Sequence, residues 1–166
     1  MEEIYSKLDK ETKIPKFIKV RQNFNQDSII DLEEVLREKL NIFGIESHIK
    51  RGMTVAITAG SRGIKDIDLI LRSIVKSVKD IGAKPVIVPC MGSHGGATAS
   101  GQIKVLEELN ITEGSIGAPV KSSLEVINIG TTKKGIPVYV DKYAFDSDAI
   151  IIANRIKPHT DFKGRF

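Results

Sequence analysis

Tryptophan is missing from this chain, aromatics make up only 5% of it, and Cys90 is its one cysteine. A single cysteine excludes an internal disulfide framework and fits a reducing compartment, which makes the cytoplasm the expected location. With so few aromatics, no basic run interleaves with stacking platforms, so the +4 formal charge does not point to nucleic acid. The densest basic stretch, Arg155, Lys157, Lys163 and Arg165, also holds Pro158, His159 and Asp161, and reads as a small-anion site. No apolar run approaches the roughly 20 residues that span a bilayer. Met1-Glu2-Glu3-Ile4 lacks the basic-then-apolar opening of a signal peptide. Few histidines and no C-x-x-C pair argue against a structural zinc site, and no metal ligand is assigned.

What remains is the material of one soluble domain. Hydrophobic residues form 41% of the 166 and charged residues 28%, enough for a core beneath an ordinary surface. Residues 14–24 alternate partly and predict an opening strand. Asp27 or Ser28 then caps a helix through about Leu40, with Ile29, Ile30, Leu32, Val35, Leu36 and Leu40 on or near one face. Beyond Gly52 the pattern becomes regular: an apolar run at 53–58, a helix capped by Asp66 and ended by Gly82, and a second apolar run at 84–90. A helix to about Asn110 follows. Strands alternating with helices predict a Rossmann-like, three-layer α/β domain with a mostly parallel sheet. Runs 124–130 and 136–142, separated by Thr131-Thr132-Lys133-Lys134-Gly135, read as an inserted β-hairpin, and 149–154 restores the parallel pattern. Strands 53–58, 85–89 and 149–153 should share one sheet. That architecture calls for a helix after the last strand, so the sequence is expected to be one domain of a longer protein.

Ligands of open α/β sheets bind beyond the carboxyl ends of the strands, which makes three loops neighbours. The first holds Gly60-Ser61-Arg62-Gly63: glycines for close backbone approach, a hydroxyl donor, and a guanidinium fork for carboxylate or phosphate. In the second, Gly92-Ser93-His94-Gly95-Gly96, one histidine stands among bare amides at a helix start, where an anion is favoured. It is neither a dinucleotide fingerprint nor a P-loop. The third, Lys157-Pro158-His159-Thr160-Asp161, adds a second histidine with a carboxylate two residues on. His48 lacks a partner motif and reads as structural or surface, and Cys90 as a small hydrophobe beside the glycine loop. Two histidines facing each other across an acid-gripping arginine suit proton abstraction beside a carboxylate.

With MGSHGGATASGQ, the upstream AGSRG and the downstream NRIKPHTDFKG, the chain resembles the N-terminal domain of the lactate racemase family over about residues 15–166. The resemblance implies a nickel pincer nucleotide as cofactor, which takes a hydride from the α-carbon of a 2-hydroxy acid and returns it to either face. It makes His94 and His159 the alternating acid and base on the 2-hydroxyl. It puts Arg62, with Ser61, Gly92, Ser93, Gly95, Gly96 and Lys157, around the cofactor phosphate or the substrate carboxylate. It also implies an attaching lysine and a nickel-bound histidine in a C-terminal domain. Where the racemase's first loop carries an acid and a histidine ahead of the arginine, this chain has Ala59, Gly60 and Ser61, which implies a 2-hydroxy acid other than lactate. The alternative is a non-catalytic domain that binds a phosphorylated small ligand or nucleotide with the same loops.

Overall fold

A computed structural model describes residues 16–24, 28–61 and 63–155. Three strands, β1 (Thr54–Ala59), β2 (Lys84–Pro89) and β5 (Ala149–Ile151), form one sheet in the order β2-β1-β5. Every pairing is parallel, with Thr54 opposite Lys84 and Val55 opposite Ala149. The parallel sheet expected from runs 53–58, 85–89 and 149–153 is therefore present. Its last strand stops at Ile151, and two residues later the Ala153 N–H donates to the Thr58 hydroxyl at 3.0 Å. Beyond β2 the sheet gains a single-residue extension. Ile87 N–H donates to Pro119 O at 2.8 Å, and Lys121 N–H donates to Ile87 O at 2.9 Å.

Crossover helices α3 (Ile67–Asp80) and α4 (Ala99–Glu108) follow β1 and β2. Along α3 the buried Ile67, Leu71, Ile74, Val75 and Val78 recur at the helical period and face the sheet. They meet Val55, Ile57 and Ala59 of β1, Ile87 of β2, Leu106 of α4, and Ile111 and Ile116 around the short α5 (Glu113–Ile116). The opposite face, Ala56, Val86 and Val88, is covered far more thinly, by Ala144, Val140 and Tyr143. Those come from the inserted hairpin, β3 (Val126–Thr131) and β4 (Pro137–Asp141), and from α6 (Lys142–Phe145). The hairpin is antiparallel and forms a sheet of its own.

Several boundaries differ from expectation. Residues 16–24 of the expected opening strand have no regular structure, and Phe17, Ile18, Val20 and Phe24 stand exposed. Alternation makes a strand only where a partner edge accepts its backbone groups, and no described strand pairs with this segment. Helix α1 spans Leu32–Phe43, capped by the Asp31 carboxylate, which accepts the Glu34 N–H at 3.0 Å. Ser28 therefore lies outside the helix, Asp27 lies outside the described residues, and Ile29 and Ile30 are exposed rather than packed. Leu32, Val35, Leu36 and Leu40 do turn inward, half-buried, as α1 packs on α3. Asp66 does occupy the N-cap of α3, but in the left-handed region (φ 55°) and without a side-chain capping bond. Gly82 (φ 81°) follows that helix as expected, its N–H bonded to Lys79 O at 2.8 Å. A further short helix, α2 (Ile45–His48), leads into β1, and there His48 is exposed and its ring stacks on Phe43.

Helix α4 stops two residues before Asn110, which adopts φ 59° and sends its amide to Asp68 of α3 at 3.1 Å. That hydrogen bond is the main cause of an Asp68 carboxyl held below its ordinary value. A depressed folded-state pKa contributes stability that is present above the unfolded carboxylate value and fades as pH falls through the folded one. Asn110→Gly keeps the left-handed turn and removes the donor. At neutral pH it should cost on the order of 0.5 kcal/mol, the pair being partly exposed. Melting curves across acid pH check this: the gap between variant and parent should close as Asp68 is protonated, and a constant gap contradicts it.

Candidate functional site

Because the three strands run parallel, Ala59, Pro89 and Ile151 all end at the same edge of the sheet. Hydrogen bonds stitch the exits together. Cys90 N–H donates to Ala59 O at 2.7 Å, joining the second exit to the first. The third exit is tied to the first by the Ala153–Thr58 bond and by Arg155, whose guanidinium donates to Gly63 O at 2.7 Å. Within the described residues, the starts of the loops beyond β1, β2 and β5 thus form one rim.

The second loop has the most distinctive backbone. Gly92, Gly95, Gly96 and Ala97 adopt φ of 59°, 67°, 67° and 53°. This region suits glycine and strains alanine. The loop closes on itself through His94 N–H to Met91 O (3.3 Å) and Ala97 N–H to Ser93 O (3.0 Å). The N–H groups of Ser93, Gly95 and Gly96 have no acceptor among the described residues. A Cβ added at Gly92 or Gly96 would meet nothing within 4 Å. Bare donors around open space, just ahead of α4, form a cradle that fits a phosphate or carboxylate.

His94 projects from this loop, exposed, onto a shallow cleft of about 530 Å³ shared with Ser61, Gly95, Val105, Glu108 and Leu109. Of the residues expected at the site, Ser61, Gly92, Ser93, His94, Gly95 and Gly96 are therefore brought to one rim. Arg62, Lys157 and His159 lie outside the described residues, although Gly63 and Arg155, beside two of those segments, touch each other. Cys90 is exposed at the end of β2. This corrects its reading as a small hydrophobe: Cys90 lies just past the end of the strand at Pro89, and it is the next residue, Met91, that turns into the core. Among the described residues no three His, Cys, Asp or Glu side chains gather where a metal ion could sit. No helix among them is long and apolar enough to cross a membrane.

Three supporting residues escaped the sequence reading. Gln102 is 6% exposed, and it donates to Gly92 O at 2.9 Å while accepting from the Ser122 hydroxyl at 2.9 Å. Gly101 lies against the glycine loop so closely that an ideal Cβ there would sit 1.8 Å from Gly95 O. Thr98 caps α4 by accepting Gly101 N–H at 3.0 Å and donates to Gly95 O at 3.1 Å. A signal for Gln102 was present. Residues 102, 106 and 109 share one helical stripe, and a glutamine on a stripe with two leucines must find partners indoors.

A parallel α/β sheet with crossover helices and a separate hairpin, its glycine loop and histidine at the carboxyl edge, defines a Rossmann-like α/β domain. The chain belongs to the lactate racemase N-terminal domain family, whose model matches residues 3–164. No curated protein and no solved structure matches it.

Proposed function

We propose that this domain forms one wall of a racemase or epimerase site for a 2-hydroxy acid, completed by a C-terminal domain and working in the cytoplasm. The observation that carries the reading is His94 and Ser61 sharing one cleft beside the amide-lined loop, in a member of the lactate racemase family. The cofactor is a nickel pincer nucleotide, which when bound supplies a reversible hydride acceptor for the substrate's α-carbon. The cradle fits the phosphate end of such a group. Among the described residues no three His, Cys, Asp or Glu side chains gather to hold its nickel.

The roles of this chain's own residues follow from their chemistry. The N–H groups of Ser93, Gly95 and Gly96, with Ser61, Arg62 and Lys157, hold the cofactor phosphate or the substrate carboxylate. His94 accepts the proton of the 2-hydroxyl as the α-carbon is oxidised to the keto acid, and gives it back on reduction. His159 does the same from the opposite side. Neither histidine need move between the two directions, since each is left in the state the other direction requires.

Anion capture is the simplest part to test. Phosphate titrated into the chain should bind, and binding should weaken as salt rises. Arg62→Ala should lower the affinity by about tenfold, the scale of one charge-assisted hydrogen bond. Equal affinities in parent and variant would remove Arg62 from the site.

A further inference from the structure

The Gly92–Ser93 peptide is the one amide of the cradle whose direction depends on a side chain buried in the interior. A trans peptide is planar, with its C=O and N–H pointing opposite ways. Gly92 O is drawn inward by the amide of Gln102 at 2.9 Å. The Ser93 N–H in the same peptide unit must then aim outward, to the exposed side of the loop. The second peptide of the cradle is held by the same logic. Gly95 O accepts the Thr98 hydroxyl at 3.1 Å, and the Gly96 N–H is turned out. Thr98, however, is an exposed cap at the first turn of α4, whereas Gln102 is interior.

Glycine at position 92 makes this hold necessary. At φ 59° with no Cβ contact within 4 Å, nothing in the side-chain sterics resists rotation of the 92–93 peptide. A flipped peptide would set a carbonyl oxygen where the donor stood, turning attraction for an anion into repulsion. Gln102 is itself fixed at its other end. Its Oε1 accepts from the Ser122 hydroxyl at 2.9 Å, on the segment that Ile87 and Lys121 bind to the sheet. The two bonds also settle which end of the amide faces which partner: the NH2 must donate to the carbonyl, and the oxygen must accept from the hydroxyl.

Resting on the anion-site reading above, we infer that Gln102 is a positioning residue, which fixes the Gly92–Ser93 peptide with its N–H toward the bound anion and relays that alignment from Ser122 and the sheet. It touches no ligand. Its effect is on the pre-organisation of one donor, so binding should suffer more than folding.

The test uses the 15N-labelled chain and inorganic phosphate. In the parent, the amides of Ser93, Gly95 and Gly96 should shift and saturate. Gln102→Met, of similar length but without a donor, should bind phosphate about tenfold more weakly, the scale of a lost charge-assisted donor. Before any phosphate is added, its Ser93 15N resonance should already differ from the parent's, because that nitrogen senses the hydrogen bond on the preceding carbonyl. Ser122→Ala should give a smaller loss in the same direction. It also leaves the interior filled, so it decides the question if Gln102→Met fails to fold. A purely structural Gln102 predicts a lower melting temperature with parental affinity and an unmoved Ser93 resonance in the folded fraction, which would overturn the inference. Equal affinity in parent and variants overturns the role of Gln102 alone. A parent that shows no phosphate-dependent shift overturns the inference and the anion reading together.

Discussion

His94→Ala, made in the full-length protein, is expected to slow interconversion of the two enantiomers of its 2-hydroxy acid by about 10²–10⁴-fold, in both directions, with the fold intact. The expectation of an intact fold comes from position: the imidazole is exposed on the cleft and makes no hydrogen bond to a described residue. The size of the loss comes from proton accounting. Oxidising a 2-hydroxy acid at its α-carbon strips the hydroxyl of its proton, and reducing the keto acid restores one. A racemase must perform both steps on every turnover, so a missing acid/base group obstructs the forward and reverse reactions alike. Histidine suits the task because it accepts and donates near neutral pH. His159→Ala should behave in the same way, as the partner from the third loop. Chiral chromatography of the product mixture, started separately from each enantiomer, measures both directions, and circular dichroism checks the fold. Near-parental turnover in either variant would remove the two-histidine mechanism. A non-catalytic domain that captures a phosphorylated ligand would then be the better reading of the cradle.

Gly101→Ala should instead strike at stability. Its new Cβ would lie 1.8 Å from Gly95 O, 2.7 Å from Gly95 C and 2.7 Å from the Thr98 hydroxyl. The first two are backbone atoms of the strained loop, and they have nowhere to retreat without breaking the capping bonds of Thr98. A cost of about 3 kcal/mol or more follows, at the upper end for overpacking. For a chain of this size that lowers the melting temperature by about 6–12 °C. Gly114→Ala is the contrast. Its nearest neighbour would be the Thr112 hydroxyl at 4.0 Å, so the substitution should be neutral or slightly stabilising. Thermal melts of the two variants side by side decide the matter. A drop of under about 2 °C for Gly101→Ala would mean that the loop does not rest on the helix as closely as described.

The parallel sheet was legible because its signal is redundant. Val55, Ile57 and Ile87 bury one face and Ala56, Val86 and Val88 the other, so both β1 and β2 read as continuous apolar runs, the mark of a doubly covered strand. The rim followed from parallel topology, and the glycine loop was visible as composition. The first helix was misjudged at its start because Asp27, Ser28 and Asp31 are all competent caps. Sequence cannot rank them, since the choice depends on which register lets Leu32, Val35, Leu36 and Leu40 meet α3. Residues 16–24 misled for a related reason: alternation reports a surface that could be half-buried, not an edge that is available to bury it. The supports of the site, Gln102, Ser122 and Gly101, depend on contacts between segments up to 20 residues apart, and pattern reading along one segment does not reach them.

The uneven covering of the sheet has a consequence for how the molecule breathes. Openings of a native protein start where few apolar contacts oppose them, and among the described residues that is the side of Ala56, Val86 and Val88, shielded by Ala144, Val140 and Tyr143. The hairpin and α6 can therefore lift away as a unit, exchanging their amides early. The strand exits, α3 and α4 stay closed on the thick side. Ser122 lies at the boundary, before the hairpin begins and just after the segment bonded to Ile87. Excursions of the hairpin thus end short of the Gln102 clamp, so the cradle keeps its shape while the most easily melted part of the domain fluctuates.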